Sequence, residues 1–74
     1  MQQIRLILKE KYSLVHVPAE RKVNEWRSLV RQLISEGQMK EQAGMIAAKK
    51  VFPYEYREYR VYGGVGVDEI LSLF

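Results

Sequence analysis

His16 is the only histidine in the 74-residue chain, and imidazole is the side chain best suited to moving protons near neutral pH. A general base still needs a nucleophile or an orienting acid, and none stands at a recognisable spacing from it. The carboxylates of Glu55, Glu58, Asp68 and Glu69 are interleaved with arginines or placed at a helix start, where ion pairing and capping account for them. Cysteine is absent, and one histidine among scattered acids is not the converging donor set a metal requires. The glycine run at 63–66 matches a phosphate loop in composition only. A dinucleotide fingerprint needs a further glycine opening a helix and an acid about 20 residues later, beyond the last residue of this chain. The expectation is a chain without catalytic residues, metal, cofactor or small-molecule substrate.

Two other kinds of chemistry remain. Arg21, Lys22, Arg27 and Arg31 stud one helical stretch, Lys49 and Lys50 end another, and Arg57 and Arg60 alternate with tyrosines. Basic side chains interleaved with aromatic rings suit phosphates and unpaired bases. Against this, the formal charge is only +3. Residues 1–36 carry seven Lys/Arg against four Glu, and residues 37–74 carry five of each sign, so the surplus belongs to the first half. Met39, Met45 and Phe52 form the second set: large apolar side chains on a helix with no clear apolar face, as at adaptable protein interfaces. We favour a non-catalytic binding module that meets another protein or its own copy at Met39, Met45 and Phe52. The alternative is a nucleic-acid-binding module, winged-helix-like, with a helix–break–helix around Gly37 and a tyrosine/arginine wing.

The elements that must position these residues are read from period and punctuation. Ala19 to Glu36 is the central helix: Val23, Trp26, Leu29, Val30, Leu33 and Ile34 fall within an arc of about 140°. Pro18 precedes it, and Gly37 stands where a left-handed C′ residue belongs. A second helix is expected from Met39 to about Val51, ended by Phe52–Pro53, with Gly44 weakening it by about 1 kcal/mol relative to Ala. Ile4, Leu6 and Leu8 alternate as in a strand, and a second β-rich run from Tyr12 to Val17 either completes a hairpin or continues as irregular extended chain. YEYREYRVY, residues 54–62, alternates with period two and predicts a third strand. It would place Tyr54 and Tyr56 on one face. Asp68 would cap a final helical turn.

The predicted architecture is a single α+β domain over residues 1–74. A two- or three-stranded, mainly antiparallel sheet is covered on one face by the central helix, with the second helix alongside. The apolar ending Leu73–Phe74 fits either a tail docked on the domain or a piece of a longer chain. The opening lacks the apolar core of a signal peptide, and nowhere do about 20 apolar residues run together to span a membrane. A soluble cytoplasmic protein is therefore expected. Trp26, in the middle of the apolar stripe, should be the most buried large side chain of the central helix. Trp26→Ala is expected to cost about 3–5 kcal/mol, most of the stability a domain this small possesses, and to leave the chain largely unfolded by circular dichroism.

Overall fold

Helices account for most of the residues that the computed structural model describes, which are 2–56 and 65–74. They are α1 (Gln2–Lys11), α2 (Glu20–Ser35), α3 (Lys40–Val51) and α4 (Val67–Ser72). No strand occurs among the described residues. The predicted α+β fold with a sheet is therefore corrected to an all-helical one.

The first predicted strand is α1. Its alternation of Ile4, Leu6 and Leu8 also contains a helical spacing, and the structure uses that one: Ile4, Leu8 and Lys11 are buried, while Leu6 faces outward. Gln, Arg, Leu, Lys and Glu make up most of the segment and are all good helix formers, which decides between two periods in so short a run. The helix ends in a left-handed turn. Ser13 adopts φ 53°, and the Leu14 N–H donates to the Lys9 carbonyl at 2.9 Å, the backbone closure of a Schellman motif. Residues 12–17 are therefore an irregular connection, the second of the two alternatives, and not the arm of a hairpin. The described part of the tyrosine stretch, 54–56, lies in a turn after α3. Tyr56 is buried there and Tyr54 exposed, so the two do not share a face. The remainder of that predicted strand lies outside the described residues.

The central helix forms as expected. Val23, Trp26 and Val30 are completely buried, and Trp26 is the largest fully buried side chain among the described residues. Gly37 takes φ 103°. Its N–H donates to Ile34 and that of Gln38 to Leu33, both at 3.0 Å, closing the carbonyl end of α2.

The second predicted helix also forms, with a different inward face. Ala43, Gly44, Ala47, Ala48 and Val51 are buried, whereas Met39, its N-cap residue, is exposed. Small side chains let α3 lie close against α2, and the closest point is Gly44. The Trp26 indole N–H donates to the Gly44 carbonyl at 3.2 Å. A methyl group at position 44 would collide with the Tyr12 hydroxyl and lie 2.6 Å from a Val67 methyl. Tyr12 follows α1, Trp26 lies in α2, Gly44 in α3 and Val67 opens α4. All four helices meet at this one backbone.

A polar clasp adjoins the junction. The Lys11 ammonium, buried at the end of α1, pairs with Glu41 of α3 at 3.0 Å and donates to the Val65 carbonyl at 2.8 Å. The second Glu41 oxygen accepts the Val67 N–H at 2.7 Å. That bond caps α4 from another helix. Asp68, predicted to be the cap, lies inside the first turn instead, and the N-cap residue is Gly66. Burying an ammonium costs several kcal/mol unless it is paired, and the carboxylate and carbonyl supply that compensation.

The two glycines predict opposite kinds of damage. Gly37→Ala should cost about 1 kcal/mol through backbone strain alone, since nothing lies within 4 Å of the added methyl. Gly44→Ala gains about 1 kcal/mol of helix propensity. It should nevertheless destabilise by about 1–3 kcal/mol, because Tyr12 and Val67 are both buried and must shift. Urea melts of the two variants separate the effects.

Tyr12 carries a further prediction. Burial, reinforced by the nearby Glu41 charge, holds its phenol well above the usual tyrosine range. With the folded value raised, stability is fully present below the unfolded value near pH 10 and is lost as pH rises beyond it. Tyr12 should contribute a loss of about 1.4 kcal/mol per pH unit above about pH 10. Tyr12→Phe should remove that part of the alkaline slope in denaturant melts.

Candidate interaction surface

The pocket between the entry to α2 and the exit of α3 is assembled from two chain reversals. On one side, Val17, Pro18 and Ala19 lead into α2, with Lys22 one turn along. Arg5 of α1 pins this entry by donating from Nε to the Pro18 carbonyl at 2.7 Å. On the other side, Pro53 prevents α3 from continuing. The Tyr56 N–H then turns back to the Phe52 carbonyl at 2.9 Å. Glu55 ties the walls together by accepting the His16 backbone N–H at 2.9 Å. The half-open hollow has a volume of about 230 Å³, and Val51, Phe52, Pro53 and Tyr54 contribute to its lining. This lies below the roughly 300–1,000 Å³ of pockets that enclose drug-sized ligands, and suits a single side chain. Of the lining residues, Tyr54 is 88% exposed.

Of the three residues read from the sequence as protein contacts, Phe52 is at this pocket, where it is buried in the core and also contributes to the lining. Met45 is half-buried against the core. Met39 is 76% exposed at the opposite end of α3, a helix length of about 18 Å from Phe52. The three do not form one patch. Val17, Pro18 and Tyr54 were missed as the lining of one pocket. The sequence allows residues 12–17 to be either a hairpin arm or irregular extended chain and predicts Tyr54 in a third strand, which does not bring the two segments together.

The basic residues are similarly dispersed. Arg21 and Arg31 are exposed on α2, and Lys49 and Lys50 are exposed in the last turn of α3. Lys22 lines the pocket and lies 3.9 Å from Glu25. The Arg27 guanidinium sits 4.7 Å above the Phe74 ring. This half-buried arginine thus holds the C-terminal residue by a cation–π contact. Arg57 and Arg60 lie outside the described residues. A larger and wide-open hollow of about 720 Å³ runs along the outer side of α2, lined by that helix alone. Its one cation, Arg21, is accompanied by Glu20 and Glu25, which leaves no basic focus for an anionic ligand.

The structure gives His16 a carboxylate that its sequence position did not suggest: Nδ1 lies 3.8 Å from Glu55 Oε1. The imidazole is 81% exposed, and water competes directly with that contact. Among the described residues, no group of three His, Cys, Asp or Glu side chains is placed to hold a metal ion. Nor is any described helix long and apolar enough to cross a membrane. No protein-family model, curated protein or solved structure matches the chain.

Proposed function

We propose that the protein is a non-catalytic, cytoplasmic interaction module that grips a protein surface at the pocket between the α2 entry and the α3 exit. The observation that carries this reading is the pocket itself. A side-chain-sized hollow with Val17, Pro18 and Phe52 in its lining has the exposed Tyr54 on its rim. A desolvated pocket filled by one anchoring side chain, with apolar neighbours around it, is how a small interface concentrates its affinity. The lack of cysteine fits a reducing compartment. Nucleic-acid binding is the less supported reading, because exposed acids and bases alternate along α2 and its C-cap, where Glu20, Arg21, Glu25, Arg31 and the cap residue Glu36 are all at the surface.

Site-specific photocrosslinking tests the proposal. Benzoylphenylalanine at position 54 should give a defined protein adduct in the cell, abolished by Val17→Glu in a variant shown to be folded by circular dichroism. The same group at position 24, on the exposed side of α2, should give none. An overturning result is the absence of that adduct together with salt-sensitive DNA binding. Such binding would have a log–log salt slope of about −0.9 per phosphate neutralised and would be lost on reversing Arg31, Lys49 and Lys50 to Glu.

A further inference from the structure

Two cations of α2 have no counter-charge. Arg27 and Arg31 stand one turn apart in the helix, where side chains are surface neighbours. No Asp or Glu lies three or four residues to either side of them. Lys22, by contrast, has Glu25 at 3.9 Å, and Glu36, the next acid along, accepts a bond from Gln32. Like charges one turn apart weaken a helix slightly, so helix stability does not account for the pair. Arg27 is also held in place while its hydrogen-bonding capacity goes unused. Its guanidinium lies 4.7 Å above the Phe74 ring, and its Nε is buried with no hydrogen-bond partner. Of its guanidinium nitrogens only Nε is sealed in this way, and the terminal pair remains for a ligand. An aromatic face under a guanidinium fixes its position, and the fork of N–H groups suits two-point recognition of an oxyanion.

We propose that Arg27 and Arg31, with Phe74 as the platform under Arg27, bind a phosphate monoester. Charge decides the class of ligand. A monoester carries about −1.5 to −2 at neutral pH and matches two guanidinium charges, whereas a carboxylate would offset only one. Arginine clusters recognise phosphorylated groups in this way. The site is independent of the pocket, since neither arginine lines it. A small metabolite and a phosphorylated side chain present the same group to the two arginines, and the affinity for each separates them. Arg31 is exposed and loses side-chain freedom on binding, so a lone phosphate is held weakly, with a dissociation constant in the millimolar range.

The test is a titration of the isotope-labelled full chain with methyl phosphate at neutral pH, following the arginine Cζ and Nε resonances by NMR. Those of Arg27 and Arg31 should shift together and saturate, while those of Arg21 stay in place. Acetate, with a single charge, should bind about tenfold more weakly or not at all. Arg31→Gln, at an exposed position, should weaken methyl phosphate binding about tenfold. Arg27→Lys should do the same, because it keeps the charge but loses the planar fork and the contact with Phe74. If Arg27→Lys loosens the fold with Phe74, Arg31→Gln still decides the matter. A phosphoserine peptide that binds more tightly than methyl phosphate supports the site and assigns it to phosphorylated proteins; equal affinity supports it as a site for small monoesters. The proposal is overturned by the absence of a saturable shift at Arg27 and Arg31, by equal affinity for acetate, or by binding indifferent to Arg31→Gln.

Discussion

The closeness of α3 to its neighbours at Gly44 is the constraint on which the rest of the structure depends. Tyr12, Trp26 and Val67 all converge there from different elements, and a single methyl would force two of them to move. Small domains have little area with which to offset conformational entropy. Concentrating four helices on one backbone position is an economical way to obtain a close-packed centre without a disulfide or a metal. The small residues Ala43, Ala47 and Ala48 extend the same approach along α3, so its packing depends on short distances more than on large buried side chains.

The polar clasp completes what packing leaves open. The 4 residues at a helix start have no intrahelical partner for their N–H groups, and α4 is too short to tolerate a poor start. Glu41 supplies an acceptor to Val67 and at the same time neutralises Lys11. One carboxylate therefore links the end of α1, the first turn of α3 and the start of α4. Its position one turn before Gly44 places the ionic contact beside the apolar junction, where buried aromatic rings exclude water from one side.

The proposed surface lies at the other end of α3, where two prolines shape it. Pro18 precedes α2, and Pro53 follows α3; each fixes a chain direction at little entropic cost. Glu55 holds the two reversals together through the His16 backbone. The pocket is thus preorganised by the connections, while the helices supply its floor. Preorganised concavity lowers the ordering cost of binding, and this is the physical basis for placing recognition at this end of the molecule.

Where the apolar residues were periodic over several turns, the sequence alone determined the outcome. The central helix, its left-handed stop at Gly37, the burial of Trp26 and the existence of α3 were all legible, because capping and 3.6-residue spacing are local properties. The short segments were not. Ile4, Leu6 and Leu8 satisfy a period of two and, with Lys11, a period near 3.6; which one is used depends on what lies opposite, and that is a tertiary fact. Gly44 looked like a local weakness because the collision it avoids involves residues 32 positions before it and 23 after it in the chain. The clasp was invisible for the same reason, since Lys11, Glu41 and Val67 have no sequence relation. The pocket beside Phe52 escaped notice because the meeting of Val17, Pro18 and Tyr54 is decided by two chain reversals packed against each other, and local sequence contains no record of which neighbour a reversal will meet.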